Sequence, residues 1–391
     1  MRIQDIGAAV VGTGFIGAVH VEALRRLGVQ VRGVVGSSSA RARERSEALG
    51  LPPAYDSFEA MVADPGVQVV HVTTPNHLHH PQARAALAAG KHVVCEKPLA
   101  RTSAESADLK AAAEASGLVH AVNFNLRFYP VCQHLHQLVR EGGLGEVRLV
   151  TGHYLQDWLL RDTDWNWRLE PDLGGDLRAV GDIGTHWMDL ATYLTGRPIE
   201  AVMADLATFL KVRRQPAGPT ETFGATAGET VPRAIGTEDA ATILLRWQGG
   251  ARGVLAVSQV SPGRKNALRL ELDGAAAAAC WESERPDELW LGHRDRPNEL
   301  LLRDPSLLNA RGRAAASLPG GHAEGFADTF KALYRAVYAA VAAGAPPAAP
   351  DYPTFADGHD EVLVTEAVAR SAREGRWTRV DRPHREEVTT R

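Results

Sequence analysis

Cysteine is scarce in this chain. Cys95, Cys132 and Cys280 are the only three in 391 residues, widely spaced and without a Cys-x-x-Cys pair. That excludes a thiolate zinc site and a dithiol redox motif, and leaves three buried thiols of a reducing compartment as the reading. Long apolar runs are missing too. No stretch approaches the roughly 18 residues of a membrane-spanning helix. The apolar segment from Ile6 to Val11 is broken by glycine, with no small-residue cleavage site after it, so a cytoplasmic protein is expected. Nor is there a surplus of positive charge. The formal net charge is -4, which argues against a nucleic-acid or anionic-membrane partner and for a small-molecule substrate. No internal repeat is present.

What is present is length and alternation. A chain of 391 residues exceeds the span of about 250 to 300 residues at which single cores stop growing, so two domains are expected. Residues 1–125 alternate short β-branched runs (8–11, 29–35, 67–73, 92–95, 118–122) with alanine-rich helical stretches (15–27, 40–49, 81–89, 103–116). This pattern implies βαβ units, a parallel sheet and a doubly wound α/β domain. From about Asn125 the texture changes. Runs at 146–153, 200–210, 240–247, 253–260 and 268–273 have strand character, and helices are expected at 185–194, 325–343 and 358–374. Residues 126–391 therefore read as an α+β domain with an open, mainly antiparallel sheet. The Gly, Thr and Pro-rich stretch 215–233 reads as a long surface loop, 343–353 as a connector, and the charged tail after Asp381 as loose.

The first strand runs into Gly12-Thr13-Gly14-Phe15-Ile16-Gly17. Its first glycine permits a tight turn, the second lets the backbone approach a pyrophosphate, and the third allows helix to pack on strand. The helix N-terminus supplies unpaired N–H groups. In this context the motif marks a Rossmann dinucleotide site. The acid that would take a ribose 2′-hydroxyl at the end of the second strand is absent. Gly36-Ser37-Ser38-Ser39 stands there, with Arg41 beyond. Serine hydroxyls and a guanidinium suit a 2′-phosphate, which favours NADP over NAD; the alternative is a solvated Arg41 and a ribose held by backbone alone. Thr74-Pro75-Asn76 ends the third strand and turns the chain over the cofactor. His77, His79 and His80 lack carboxylate or thiol companions at ligand spacing, so no metal is expected. His79 is assigned to shaping the pocket.

Glu96-Lys97-Pro98 closes the fourth strand, and Gly174-Gly175 precedes Asp182-Ile183-Gly184-Thr185-His186. Together with Thr74 to His79 and the run from Ala88 to Ala100, these motifs resemble, in order and over nearly the whole chain, the Gfo/Idh/MocA oxidoreductases. That family is typified by glucose-fructose oxidoreductase and inositol dehydrogenase. The resemblance implies a nicotinamide-dependent oxidoreductase acting on a secondary alcohol or ketone of a sugar, cyclitol or related polyol. It makes Lys97 and His186 the catalytic pair, with Asp182 beside them, and places a frequently cis peptide bond before Pro98. Residue chemistry points the same way. A histidine titrating near neutrality can take the hydroxyl proton, Lys97 can hold the oxygen as charge develops, and Glu96 or Asp182 can tune the amine. Taken alone, Asp182 and His186 could be a helix cap and a core histidine, and Lys97 a surface lysine.

For substrate, the polar aromatic stretch supplies Asp157, Trp158, Trp167 and Arg168, a mixture that suits sugar rings. The resemblance brings Trp167 and Arg168 near the substrate, and Asn125 and Arg127 near the nicotinamide. His322, in a glycine-flanked cluster, is a further candidate. Two other readings stay open: a non-redox lyase or glycosidase with tightly bound nicotinamide, and a nucleotide-sensing binding protein. A homo-oligomer is expected, since an open sheet needs cover, and the resemblance implies a homodimer or homotetramer built through that face.

Overall fold

Alternation of buried runs with capped helices builds the first half in sequence order. The computed structural model describes residues 1–218 and 228–382. It opens with β1 (Gly7–Val11), α1 (Phe15–Arg26), β2 (Gln30–Val35), α2 (Ser39–Ala48) and α3 (Phe58–Ala63). Then come β3 (Val69–Val72), α4 (His79–Ala88), β4 (His92–Cys95), α5 (Ser103–Ser116) and β5 (His120–Val122). The strands form one sheet in the order β2-β1-β3-β4-β5, parallel throughout. Successive residues of a strand feed separate cores: Ala8, Val10 and Val94 on one face, Ala9, Val11 and Cys95 on the other. Both faces are therefore covered, as a parallel sheet requires.

The chain continues through α6 (Pro130–Arg140), β6 (Val147–Leu155), α7 (Pro171–Gly174), α8 (Thr185–Thr195), β7 (Ile199–Ala207), β8 (Val212–Pro216) and β9 (Thr230–Ala234). After these lie β10 (Ala240–Trp247), β11 (Arg252–Ser258), β12 (Ala267–Gly274), β13 (Ala278–Glu282), β14 (Glu288–Gly292) and β15 (Glu299–Leu302). The last elements are α9 (Ala310–Ala315), α10 (Phe326–Ala343), α11 (Phe355–Glu374) and β16 (Thr378–Arg379). Nine strands form the second sheet, ordered β15-β14-β13-β12-β6-β11-β10-β7-β16. Every pairing is antiparallel except β6 with β11. Trp187, Met188, Leu190 and Leu194 of α8 pack on one face with residues of α6 and α11. Gly152 makes that approach possible: a Cβ there would lie 2.6 Å from the Trp187 indole nitrogen.

Three features depart from the sequence expectation. The stretch 215–233 is no simple loop, because its ends belong to the β8–β9 hairpin; residues 219–227 lie outside the described ones, as does the tail from 383. Strands β13 to β15 extend the sheet where alanine and short length concealed them. Helix α10, counted with the second half by sequence, packs its Phe330, Leu333, Tyr334 and Val337 into the core of the first sheet beside α1. Among the described residues no helix is long and apolar enough to cross a membrane.

Candidate active site

The glycines after β1 have different jobs. Gly12 has φ +106°, and a Cβ there would meet the Thr73 carbonyl at 2.6 Å; one on Gly17 would lie 2.2 Å from the Gly12 oxygen. Both are required by the fold itself. A Cβ on Gly14 would meet nothing within 4 Å. Gly14 caps α1 without a side-chain bond to the first turn, so the open cradle over Phe15, Ile16 and Gly17 fits a diphosphate held by amides and helix dipole. Gly14 is extended, at φ -72°, so Gly14→Val is expected to fold normally while weakening nicotinamide binding by about tenfold or more. Fluorescence titration of the reduced cofactor checks this, and unaltered affinity would exclude the cradle.

The Gly12 amide bonds to the Val35 carbonyl at 2.8 Å, which sets the end of β2 alongside the glycine turn. Ser37, Ser38 and Arg41 follow there, all exposed; Ser38 caps α2 by accepting the Arg41 N–H. Beyond β3, Asn76 Nδ2 donates to the Gly174 carbonyl at 2.7 Å and Thr74 Oγ1 to Gln82. His79 is buried, its Nε2 at 2.8 Å from the Thr74 carbonyl and its Nδ1 at 2.7 Å from that of Pro98. It clamps the loops after β3 and β4 together. His80 turns away to Asp108.

The loop after β4 delivers Lys97, whose bond to Pro98 is cis. Its Nζ donates to the Asp182 carbonyl at 2.5 Å and to Asp182 Oδ1 at 3.2 Å. The same Oδ1 accepts Arg168 Nε at 2.9 Å, and Oδ2 accepts Gln259 Nε2 at 2.8 Å. Burial alone would raise the Asp182 pKa, but Arg168 and Lys97 hold it well below the usual carboxylate range. Asp182 lies in a π-turn, Val180–Gly184, that runs directly into α8, a distortion common at functional sites. His186 follows one turn on, between the rings of Phe124 and Tyr154. Its Nδ1 is enclosed without a partner among the described residues, so exchange with a ligand runs through Nε2. Burial, and then the Lys97 charge, push its pKa down to about 3. It is neutral at physiological pH rather than titrating near it. Because the folded value is depressed, the unfolded chain takes up this proton first, and stability falls as pH drops from 6.5 toward 3.

Lys97, Arg168 and Asp182 line a pocket with Asn76, Pro98, Gly174, Leu177 and Arg178. Other expected residues go elsewhere. The Arg168 guanidinium stacks over Trp167 at 4.5 Å. Asp157 pairs with Lys265 at 2.7 Å, while Trp158 donates to Gln156 and packs on the small cluster of Leu159, Trp165, Leu169 and Ile235. His322 is exposed, its Nδ1 near the Gly320 carbonyl and its own carbonyl accepting from Arg303, which follows β15. Asn125 is buried and donates to Thr329. Arg127 is a buried strut, bound to Asp189 of α8 and Asp357 of α11, so its guanidinium holds the two helices together. Gln259 was not anticipated, since a single glutamine after a strand carries no spacing signal.

Residues 6–124 match a family model described as "Oxidoreductase family, NAD-binding Rossmann fold", and residues 132–279 match "GFO/IDH/MocA C-terminal domain". A levoglucosan dehydrogenase of Pseudarthrobacter phenanthrenivorans is 32% identical over 298 residues, 73% of this chain and 76% of that one. A solved levoglucosan dehydrogenase in complex with NADH and L-sorbose superposes with a TM-score of 0.86 at 28% identity, covering 97% of this chain and 99% of that one. An inositol dehydrogenase homolog complexed with NAD+ from Azotobacter vinelandii gives 0.85 at 28% identity, covering 96% and 97%.

Proposed function

The chain belongs to the Gfo/Idh/MocA family of NAD-binding oxidoreductases, and we propose that it interconverts a secondary alcohol and a ketone of a sugar, cyclitol or related polyol. Lys97 and His186 are its acid–base pair, and Asp182 is the carboxylate that places Lys97. One observation carries the reading: the Lys97 amine, delivered by the cofactor-binding sheet, is bonded to the π-turn one helical turn before His186. Gly12, Gly14 and Gly17, with the first turn of α1, would hold the dinucleotide, which supplies the hydride acceptor for oxidation. Lys97 donates to the substrate oxygen and stabilises charge developing there. Neutral His186 receives the hydroxyl proton through Nε2. Asp182 stays ionised and anchors both Lys97 and Arg168. Side-chain exposures of only 10% and 13% for Lys97 and Asp182 keep bulk water from screening the pair.

At the nucleotide end, the absence of a carboxylate after β2 and the exposed Ser37, Ser38 and Arg41 favour NADP. The relatives act on sugars and polyols, which sets the panel: inositols, aldoses, anhydrosugars and uronates, each with NAD+ and NADP+, followed at the absorbance band of the reduced nicotinamide. Reduction with one class of polyol is expected. Tight cofactor binding without net reduction across the panel overturns the assignment.

The open face of the second sheet supports a homodimer or homotetramer. Cross-strand partners place Met203, Leu244, Val254, Thr151, Glu271, Cys280, Trp290 and Leu300 in one row across eight strands. Met203, Leu244 and Leu300 are 37%, 43% and 56% exposed, apolar positions towards the two ends of a row that Thr151 and Glu271 interrupt, and exposed apolar surface of this kind marks an interface. Leu244→Arg should therefore shift the mass measured by light scattering down to that of a smaller species. An unchanged mass would point to a different face.

A further inference from the structure

Beneath the active site, the core of the first sheet contains a polar chain that the mechanism above does not use. Glu96 precedes Lys97 but points the other way, with Oε2 accepting the Lys97 N–H at 3.1 Å. Its Oε1 accepts Asn123 Nδ2 at 2.6 Å and meets His20 Nε2 at 3.0 Å. His20, from α1, places Nδ1 3.0 Å from Nδ1 of His71 on β3, and His71 Nε2 lies 2.9 Å from the Tyr338 hydroxyl of α10. His20, His71 and Tyr338 are fully buried. Polar groups in such a place are costly unless every donor finds an acceptor. Apolar residues would fill the same volume without that risk, so their presence calls for a reason.

We propose that these four residues form a one-way hydrogen-bond relay, running from Tyr338 through His71 and His20, that makes Glu96 a positioning residue with a fixed negative charge beneath Lys97 and His186. The direction follows from valence. A carboxylate only accepts, so His20 carries its proton on Nε2 and, when neutral, offers Nδ1 as an acceptor. His71 must then donate from Nδ1, which leaves Nε2 to accept from the Tyr338 hydroxyl. In this order every proton has a partner; in the reverse order the tyrosine proton has none. Burial drives His71 well below the ordinary histidine value, and hence neutral. Burial alone would raise the Glu96 pKa, but the His20 hydrogen bond, with the Lys97 charge beyond it, brings it below the ordinary value.

The titratable groups that face Glu96 are His20 from α1, His79 from α4, Tyr334 from α10, His186 from α8, and its chain neighbours Cys95 and Lys97. Of these, His186 gains most in function, because the Glu96 charge favours its protonated form as it accepts the substrate proton. This role rests on the polyol-oxidising reading given above.

Two measurements test the relay. In ¹⁵N-histidine-labelled holoenzyme at neutral pH, NMR should show His20 protonated at Nε2 alone and His71 at Nδ1 alone. A doubly protonated His20, or the opposite tautomers, overturns the relay, and this result requires no turnover. In the kinetic arm, Tyr338→Phe should lower kcat about tenfold and move the acid limb of the pH profile, set by protonation of Glu96, up by about one unit, with KM for the cofactor unchanged. In a Glu96→Gln background, the same change should add almost nothing. Loss of thermal stability with an unmoved pH profile would mean that the chain is only structural. A wild-type enzyme that turns over no polyol removes the parent reading, while the NMR arm still decides the proton order.

Discussion

Lys97→Met is expected to lower turnover about 10³-fold while leaving nicotinamide affinity nearly unchanged. The size follows from removing a preorganised donor at the oxygen where charge develops, an interaction that exists mainly in the transition state and is worth two to three decades, about 10²–10³. Methionine keeps the length and apolar stem of lysine, so the loss reports charge and hydrogen bonding rather than a cavity. Asp182 retains Arg168 and Gln259 as partners, so the π-turn should survive. The cofactor cradle is built from β1 and α1, and the substitution leaves it untouched. Single-turnover absorbance at saturating polyol separates the chemical step from binding. A variant with wild-type kcat would place the acid–base group elsewhere.

Much of the fold was legible because its signals are local. Runs such as Ala8–Val11 and His92–Cys95, each followed by a helical stretch, can only be central parallel strands, and the glycine turn between β1 and α1 has a strict steric reason in Thr73. The second half was harder. The run Ala275–Ala279 carries no strand propensity, yet β13 begins inside it at Ala278 and pairs with the edge that β12 offers. Likewise, α6 hides its apolar stripe of Val131, Cys132 and Leu135 among histidines and glutamines.

At the site, motif spacing pointed to Lys97, Asp182 and His186; the fold bonds Lys97 to Asp182 and sets His186 one helical turn further on. Spacing could not foresee that Arg127 pairs with Asp189 and Asp357, or that His20 and His71 meet inside the core. Such contacts join residues 51 to 62 positions apart or more, on elements whose relative placement only the tertiary structure sets. The expectation of a near-neutral His186 failed for a related reason. Desolvation and the Lys97 charge are properties of the assembled pocket, not of the imidazole.

The largest stability effect is expected from a residue outside the reacting centre. Asp239→Ala should destabilise the fold by about 3–5 kcal/mol. Asp239 Oδ1 accepts from Arg178 Nη2 and, at 2.8 Å, from Arg213 Nη2, and all three side chains have zero exposure. Its Oδ2 accepts the amides of Phe209 and Leu210 at 2.7 and 2.8 Å. Deleting the carboxyl would strand two guanidinium charges where water cannot reach them, a far greater cost than losing an exposed pair. At roughly 2–4 °C per kcal/mol for a large domain, the melting temperature should fall on the order of 10 °C.

The damage should also reach the site. Arg178 begins the segment whose amides at Arg178 and Val180 bond to Glu238, and the Asp182 amide bonds back to the Arg178 carbonyl at 2.7 Å. The π-turn that aims Asp182 is thus suspended from this ionic cluster. At a temperature where the variant remains folded, its KM for polyol should rise while its affinity for the nicotinamide stays near wild type, since the glycine cradle lies in the other sheet. Equal losses in both, or an unshifted melting curve, would show that the cluster does not support the catalytic turn.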